Sequence, residues 1–279
     1  MADRKLTDIF VVPPISILDV KQKYWKDRKK YWLSLGIESE LGRAENLLQL
    51  SSLLQKKQKA TSIFDPVLCE IMYRWFSDEQ DIIFDPFAGG SVRGIIASKL
   101  NRNYIGVDLR PEQIQHNIIQ AEKLCSNNKP IWLTGSSASV TTTKQYDLFF
   151  TCPPYYDLEI YSDNAEDLST MSVEQFDIEY EKILSLSLSK LKDNRFAAIV
   201  VGDVRGPDGN YLKFVQKTVD FFEKNGCMYY NDLILLQEPA TAAMRAFKYM
   251  NSTRKIAKAH QNVLVLSLIH ISEPTRPLY

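Results

Sequence analysis

Two prolines and two tyrosines follow an apolar run near the middle of the sequence. The run YDLFF (146–150) predicts a short buried strand, and the segment TCPPYYDLE begins directly after it at Thr151. Adjacent prolines exclude both a helix and regular strand pairing, so this segment predicts a rigid, extended turn. Such a turn can hold side chains and carbonyl groups toward a ligand, and it can equally be a stiff connection whose tyrosines pack locally.

A second predicted strand ends in a carboxylate that is soon followed by a pair of glycines. The motif IIFDPFAGGSVRG runs through Asp85, Gly89 and Gly90 into a predicted helix. Glycines let a ligand approach the backbone closely, and the free N–H groups at a helix start attract a polar or anionic group. The motif is not the G-x-G-x-x-G pattern of dinucleotide sites, and a tight strand-to-helix turn explains it equally well on its own.

Asp108 ends the next predicted strand. In nucleotide-binding sheets, an acidic residue about 20 residues after the first strand's turn binds ribose hydroxyls, and Asp108 follows Asp85 at a similar spacing. An acid at a strand end can also cap the following helix, here predicted over 111–125. The glycine turn and Asp108 together favour a site for a nucleoside cofactor.

The elements that must position these motifs alternate between strands and helices from residue 66 onward. Strands are predicted at 82–85, 103–108, 131–134, 146–150, 195–203, 228–237 and 262–267. Helices are predicted at 66–76, 91–100, 111–125, 173–191 and 211–225. This alternation predicts a parallel sheet covered on both faces, and the last two strands, joined without a comparable helix, predict an antiparallel edge. Because ligands bind at the carboxyl ends of parallel strands, the three motifs are expected to share one site.

The composition is that of an ordinary soluble protein. The 279 residues are 45% hydrophobic and 24% charged, which suits one large α/β domain. No apolar run approaches the roughly 18 residues of a membrane helix, and the first residues lack a signal peptide's apolar region, so a cytoplasmic location is expected. Four isolated cysteines offer no C-x-x-C spacing for zinc or redox chemistry.

Charge is segregated along the chain. The 34 basic and 34 acidic residues give zero net charge, which argues against binding nucleic acid through bulk charge. One basic patch lies at 21–32, where Trp25, Tyr31 and Trp32 either contact DNA or pack on the core. The second patch has no acidic residue from Arg245 to Lys258, and it is either a DNA-binding surface or a solvated loop. Its candidate DNA-binding residues are Arg245, Lys248, Arg254, Lys255, Lys258 and His260.

The combination of DPFAGGSVRG, Asp108 and TCPPY resembles the S-adenosylmethionine-dependent DNA amino-methyltransferases, which methylate N6 of adenine or N4 of cytosine. The segments FVVPPISILD, SELGR, ATSIFDPVLCE, VVGDVR and HQNVLV further resemble a phage and prophage group of DNA methylases. The resemblance covers nearly all of 10–267. We therefore expect a class I methyltransferase fold, an α/β Rossmann-like architecture with a seven-stranded, mostly parallel sheet and an antiparallel edge strand.

The resemblance implies S-adenosylmethionine as the cofactor and DNA as the substrate, with the target base flipped out of the helix and no metal required. Cys152 and the carbonyl of Pro153 would accept hydrogen bonds from the target amine, and Tyr155, beyond Pro154, would stack on the base. The implied cofactor contacts are Phe64, Asp65, Pro66, Asp85, Pro86, Phe87, Gly89, Gly90, Ser91, Asp108 and Ser136.

Two positions depart from the family pattern. Cys152 stands where the family has Asp, Asn or Ser. A thiol is a weaker hydrogen-bond partner than these groups and is close in shape to serine. Because Ser-Pro-Pro-Tyr is typical of enzymes that methylate N4 of cytosine, Cys152 slightly favours that target. Ser136 stands where relatives often carry an acidic residue for the adenine of the cofactor. This difference weakens the expected adenine contact and leaves the expected reaction class unchanged.

The spacing of the motifs divides the chain. Only 88–151 separates the glycine turn from the proline loop, which leaves no room there for a recognition domain. We therefore predict an N-terminal extension at 1–60, with helices near 19–35 and 45–58 and possible DNA contacts, and a methyltransferase domain at 61–267. Segment 238–260 is its candidate DNA-recognition insert. The aperiodic residues 268–279, with two prolines, are expected to be a non-native tail.

Other functions stay open on the sequence. The same chemistry can act on RNA or on a protein glutamine, and only Cys152 and the basic segments favour DNA. A catalytically inactive, DNA-binding partner subunit is a further alternative, against which the intact glycine turn, Asp108 and proline loop argue. Neither the target base nor the recognition sequence follows from the residues.

Overall fold

The computed structural model describes residues 10–38, 64–140, 142–156, 164–237 and 240–268, without the side chains of 240–245. Its strands are β1 (Ile17–Asp19), β2 (Ile82–Asp85), β3 (Asn103–Asp108), β4 (Ile131–Thr134), β5 (Tyr146–Thr151), β6 (Leu191–Val201), β7 (Met228–Leu236) and β8 (His260–Ser267). Its α-helices are α1 (Lys23–Ser34), α2 (Pro66–Phe76), α3 (Val92–Lys99), α4 (Pro111–Leu124), α5 (Val173–Leu188), α6 (Phe214–Lys224) and α7 (Ala240–Thr253). Each helix and strand predicted from residue 66 onward is present. The predicted helix at 45–58 and nearly all of the predicted tail lie outside the described residues.

The described strands form one sheet in the order β1-β7-β8-β6-β5-β2-β3-β4. Strand β8 runs antiparallel to β6 and β7, and the other neighbouring pairs are parallel. The chain proceeds outward from β2 to β4 on one side and from β5 to β6 on the other. The strand order therefore reverses between β2 and β5, which is where an open α/β sheet forms its ligand crevice.

The predicted class I methyltransferase fold is confirmed, and three details differ from the expectation. The sheet has eight strands because the short β1 pairs with β7 in parallel. The antiparallel β8 lies between β6 and β7 instead of at an edge, because it pairs with both of them. Helix α7, which the sequence did not predict, connects β7 to β8.

Both faces of the sheet are buried. In β5, Leu148 and Phe150 point into the core beneath α2 and α3, and Phe149 points into the core beneath α5 and α6. Alternate side chains of a strand lie on opposite faces, so two covered faces require an apolar residue at nearly every position. This explains the continuous YDLFF run and places the residues after β5 at the sheet's carboxyl edge.

Helix α1 packs against α2 through buried charges and indoles. Glu70 is fully buried and accepts hydrogen bonds from Arg28 Nε at 2.7 Å and Trp32 Nε1 at 2.7 Å. Burial alone would raise the pKa of Glu70, but the hydrogen bonds from Arg28 and Trp32 outweigh it and lower that pKa. Trp25 and Trp32 are thus core residues, as the alternative interpretation of the first basic patch predicted, whereas Tyr31 is exposed.

Candidate active site

A cleft of about 640 Å³ lies at the carboxyl ends of the central strands. Its volume is in the range of small-molecule sites, and it is bordered by the turns after β2, β3, β4 and β5. Twelve of the predicted site residues line it: Phe64, Asp65, Pro86, Phe87, Gly89, Gly90, Asp108, Ser136, Cys152, Pro153, Pro154 and Tyr155. The structure therefore brings the glycine turn, Asp108 and the proline loop beside one cleft, together with the segment that begins at Phe64.

Three predicted cofactor contacts lie outside the described lining of this cleft. Pro66 is the first residue of α2, where its missing N–H costs no hydrogen bond. Ser91 is buried behind the turn, and its hydroxyl has no hydrogen-bond partner in the described structure. Asp85 is also fully buried, and its role follows from the donors that surround it.

The Asp85 carboxylate joins the glycine turn to the proline loop. One oxygen accepts from Thr151 Oγ1 at 2.6 Å and from Phe87 N at 3.1 Å, and the other accepts from Arg93 Nε at 2.5 Å and Tyr104 Oη at 2.6 Å. Four protein donors satisfy this buried anion, as a buried charge requires. Because Thr151 directly precedes Cys152, the hydrogen bond at Asp85 fixes the relative position of the two loops.

Arg93 completes the support of the glycine turn from helix α3. Its guanidinium donates to the carbonyl oxygens of Phe87 at 2.6 Å and Ala88 at 2.9 Å, and it stacks over the ring of Phe64 at 4.5 Å. Burial tends to lower the pKa of Arg93, but the charge of Asp85 outweighs it, so the pKa is raised and the side chain stays cationic. Arg93 thus ties the turn to the segment that begins at Phe64.

Asp108 lies against the glycine turn from the end of β3. Its carboxylate accepts from Gly89 N at 2.9 Å and from Arg110 N at 3.0 Å. The residue that caps α4 is Arg110, so the alternative interpretation of Asp108 as that helix cap is not what the structure shows. Burial raises the pKa of Asp108, and the charge of Arg110 with the two backbone hydrogen bonds opposes this effect.

Helix α4 holds the glycine turn through a chain of side-chain amides. Arg110 donates to Gln113 at 3.1 Å, Gln113 donates to Asn117 at 3.0 Å, and Asn117 donates to the Gly89 carbonyl at 2.8 Å. Gln113 and Asn117 are almost fully buried. No motif in the sequence indicated these residues, because their role appears only when α4 packs beside the turn.

Gly89 has the backbone geometry that a close ligand approach requires. Its φ is +51°, in the left-handed region, and an added Cβ would meet no protein atom within 4 Å. Gly89 lines the cleft, so a ligand in the cleft can approach its backbone. A polar nucleoside could pass there at backbone distance.

The proline loop presents Cys152 and Tyr155 to the opposite side of the cleft. Tyr155 Oη accepts from Gln261 Nε2 at 2.6 Å, donates to the Val200 carbonyl at 3.3 Å, and lies 3.7 Å from Cys152 Sγ. The ring meets Phe214 edge-on, with centroids 5.9 Å apart. Gln261 is a site residue that the sequence did not indicate.

The rim of the cleft includes helix α1. Trp25 Nε1 donates to Asp65 Oδ2 at 3.2 Å, and Lys29 Nζ donates to the same oxygen at 3.0 Å. The other Asp65 oxygen caps α2 by accepting from Val67 N at 2.9 Å. Trp25, Lys26 and Lys29 line the cleft, so part of the first basic patch borders the candidate cofactor site.

The candidate DNA-binding residues lie beside the cleft and do not line its described part. Because β8 is antiparallel to β6 and β7, its first residues, His260 and Gln261, lie at the carboxyl ends of those strands. Lys248 and Arg254 are exposed, and Lys255 and Lys258 are partly buried. The side chain of Arg245 lies outside the described residues.

A loop after β6 packs against this basic segment. Lys258 Nζ is 3.8 Å from Asp203 Oδ2. Lys255 Nζ packs directly against Gly209, only 1.9 Å from the position that a Cβ would take on that glycine. Burial and Lys258 lower the pKa of His260 below its ordinary 6.5, so the imidazole is neutral at neutral pH. His260 therefore offers hydrogen bonds and no positive charge.

Within the described ranges, no group of His, Cys, Asp or Glu is arranged to hold a metal ion. Among the helices that the structure describes, none has both the length and the apolar character needed to span a bilayer.

Residues 15–121 match the family model described as DNA methylase. No curated protein sequence matches the chain. A candidate RNA methyltransferase from Pyrococcus horikoshii has a similar structure, with 14% identity, a TM-score of 0.51, and coverage of 86% of this chain and 98% of that one. A methyltransferase from Pyrococcus furiosus has 13% identity and a TM-score of 0.50, over 86% of this chain and 96% of that one. TrmN from Thermus thermophilus has 13% identity and a TM-score of 0.48 over 73% of this chain, which spans 49% of that protein.

At these identities, the two Pyrococcus structures show the methyltransferase fold alone. The family match includes the glycine turn, Asp108 and most of α4, and it confirms the prediction that S-adenosylmethionine is the cofactor. Over residues 15–121, the chain therefore matches the N6/N4 amino-methyltransferase family of DNA methylases.

Proposed function

We propose that this protein transfers a methyl group from S-adenosylmethionine to N4 of cytosine or N6 of adenine in DNA, on a base flipped out of the helix. The observation that carries the proposal is the hydrogen bond between Asp85 and Thr151, which holds the glycine turn and the proline loop beside one cleft. A methyl donor bound at the glycine turn and a target amine bound at the proline loop would be held close together. Proximity and orientation supply a large part of the catalysis in group transfer.

The residues at the glycine turn fit a nucleoside cofactor. The empty space above Gly89 admits a ligand at backbone distance, and the Asp108 carboxylate accepts hydrogen bonds of the kind that ribose hydroxyls donate. Ser136 would lie toward the adenine, and Phe64 and Asp65 toward the methionine end. When bound, the cofactor supplies an electrophilic methyl group on a sulfonium.

The proline loop would bind the target base. The Cys152 side chain and the Pro153 carbonyl would accept the two hydrogens of the exocyclic amine, which leaves its lone pair directed at the methyl group. Tyr155 would stack on the base. Its ring packs edge-on against Phe214, which restricts its orientation in the cleft. The nitrogen forms a bond to the methyl carbon as the sulfur–carbon bond breaks, and the proton that the nitrogen loses passes to solvent.

The basic segment beside Gln261 would hold the DNA backbone. Lys248 and Arg254 are exposed, and Phe247 on α7 is 77% exposed, which places an aromatic group among cations. Phosphates are bound by such cations, and exposed aromatic rings stack on unpaired bases. Residues at 10–38 contribute less in this proposal, because Arg28 and Lys29 are already paired with carboxylates of α2 and of its cap.

The test is methyl transfer from labelled S-adenosylmethionine to unmethylated genomic DNA, to total RNA and to protein extract in parallel. We expect label on DNA, and its loss in Tyr155→Ala with cofactor affinity nearly unchanged. Label on RNA or protein alone would replace the proposal by the corresponding amino-methyltransferase. DNA binding without any cofactor binding would instead support the inactive partner subunit.

A further inference from the structure

The phenol of Tyr155 is held by Gln261, which a second glutamine, Gln237, supports in turn. Gln261 Nε2 donates to Tyr155 Oη at 2.6 Å, and Gln237 Nε2 donates to Gln261 Oε1 at 2.6 Å. Tyr155 Oη then donates to the Val200 carbonyl at 3.3 Å. All four residues line the cleft, so this hydrogen-bonded chain faces the space where a base would enter.

The anchors of this chain lie on the rigid part of the fold. Val200 belongs to β6, Gln261 belongs to β8, and Gln237 directly follows β7, which is a neighbour of β8 in the sheet. Val200 is 1% exposed, and its strand is paired on both sides. The proline loop, by contrast, has no strand pairing over 152–155. The phenol is therefore a point at which the loop is attached to the sheet.

Two contacts together fix the plane of the Tyr155 ring. The hydroxyl is held at one end by Gln261 and Val200, and Phe214 meets the ring edge-on at 5.9 Å between centroids. A tyrosine ring is oriented by two side-chain torsions, and hydrogen bonds at the far end restrict both of them. Without the anchor at the hydroxyl, the ring could tilt within the cleft.

We infer that Gln261 is a positioning residue for methyl transfer, which holds the Tyr155 ring in the orientation that stacks on the flipped base. The inference rests on the proposed function and extends it to a residue of β8. Gln237 supports Gln261 from the other side by donating to its carbonyl oxygen. Gln261 acts through the Tyr155 hydroxyl, so its effect should vanish when that hydroxyl is absent.

The experiment is a double-mutant cycle with Gln261→Leu, Tyr155→Phe and the double variant. The readout is the single-turnover rate of methyl transfer to unmethylated genomic DNA at saturating cofactor, together with cofactor affinity. Each single variant should transfer about ten-fold more slowly, the scale of one lost hydrogen bond. The double variant should be no slower than the slower single variant, since both remove the same contact. Cofactor affinity should stay unchanged in all of them.

Three further variants separate positioning from simple structural loss. Gln261→Met keeps the length of the side chain and removes both hydrogen-bonding groups, so it should slow transfer as Gln261→Leu does, whereas Gln261→Glu, whose carboxylate accepts from the Tyr155 hydroxyl, should keep the anchor and most of the rate. Gln216→Leu is the matched control, because Gln216 lies on α6, bonds only within its helix to Asp220 at 2.8 Å among the described contacts, and does not line the described cleft. It should transfer methyl groups like the wild type.

A wild-type rate in Gln261→Leu, or rate losses that multiply in the double variant, would overturn the inference. If the wild type binds cofactor and methylates no DNA, the proposed function is wrong. The contact between Gln261 and Tyr155 is then tested by the free energies of urea unfolding of the same four proteins. Unfolding free energies that are strictly additive would overturn the positioning role, and a measurable coupling between Gln261 and Tyr155 would support it.

Discussion

Burial and hydrogen bonding act in opposite directions on the Asp108 carboxylate. Burial raises its pKa above the ordinary 3.8, and Arg110 and the N–H of Gly89 work against that rise. The ionised carboxylate is the better acceptor for a ribose hydroxyl. The protonation state of this one group should therefore control cofactor affinity on the acidic side of neutrality.

We predict that cofactor affinity is full above the raised pKa of Asp108 and weakens as the pH falls through it. Asp108→Asn should bind more weakly at neutral pH and show a flatter pH dependence, which calorimetry across the acidic range measures. The folding stability of the cofactor-free protein depends on pH in the opposite direction. Because folding raises the pKa of Asp108, the stability that its protonated form contributes is lost as the pH rises through that pKa. Equal pH dependence in both proteins would remove Asp108 from the cofactor site.

Gly89 allows a test with a matched partner elsewhere in the fold. Gly89 and Gly226 both have positive φ, +51° and +83°, and an added Cβ meets no atom within 4 Å at either position. Gly89→Ala and Gly226→Ala should each lose roughly 1–2 kcal/mol of stability from backbone strain. Only Gly89→Ala should also lose cofactor affinity, because Gly89 lines the cleft and Gly226 is not among its described lining residues. Equal affinity in the two variants, measured by calorimetry, would place the cofactor elsewhere.

At the scale of the elements, the site depends on the junction between β2 and β5. Asp85 ends β2, Thr151 ends β5, and their hydrogen bond of 2.6 Å lies at the point where the strand order reverses. Donors from α3 and β3 complete the shell around Asp85. One carboxylate thus couples the loop expected to bind the cofactor to the loop expected to bind the base.

Thr151→Val should loosen this junction with little change in volume. Removing a buried hydroxyl that satisfies Asp85 costs about 1–3 kcal/mol, and we expect weaker cofactor binding as well as slower transfer because both loops lose a common anchor. Thr151→Ser should restore both. Thr218→Val, which removes an equally buried hydroxyl on α6, should lower stability alone. A Thr151→Val protein with normal affinity and rate would show that the junction is only structural.

Most of the elements could be predicted because tertiary packing and local pattern agree. The apolar runs of β2, β3 and β5 are buried on both faces; β2 and β3 end at an aspartate and β5 ends two residues before Pro153, so their bounds follow closely from the residues. Helix α7 was missed because its described side chains, including Phe247 and Tyr249, are exposed and show no buried stripe. The three-residue β1 was missed because its pairing with β7 joins segments that are far apart in sequence.

The site was predictable where its residues lie next to each other in the chain. The glycine turn and the proline loop each follow a strand and Asp108 ends one, so strand order alone brings them together. The interactions of Asp85 with Tyr104 and Thr151, and of Tyr155 with Gln261, join residues from different elements. No local pattern carries such contacts, which depend on the register of the whole sheet.

At the scale of the whole molecule, zero net charge means that DNA affinity must come from a local surface. The described residues offer two, the α1 patch and the segment beside Gln261. In the α1 patch, Arg28 and Lys29 already pair with carboxylates, whereas Lys248 and Arg254 are exposed with no acidic residue near them in sequence. Both surfaces expose cations, and the second one adjoins Gln261, which contacts the proline loop expected to bind the base.

The salt dependence of DNA binding distinguishes these surfaces. Lys248→Ala and Arg254→Ala should each lower the slope of log affinity against log salt by about 0.9, the value of one released counterion on duplex DNA. Lys30→Ala, which removes an exposed lysine from α1, should leave the slope unchanged. The reverse pattern, measured by fluorescence anisotropy, would place the DNA on the α1 side.

The most direct test of the whole account is nucleoside mass spectrometry of DNA from cells that lack their own DNA methylation and express this protein. We predict N4-methylcytosine or N6-methyladenine with the wild type, and neither with Tyr155→Ala or Asp108→Ala at equal expression. Unmodified DNA in cells where the folded wild type binds S-adenosylmethionine and methylates RNA or protein would contradict the central claim.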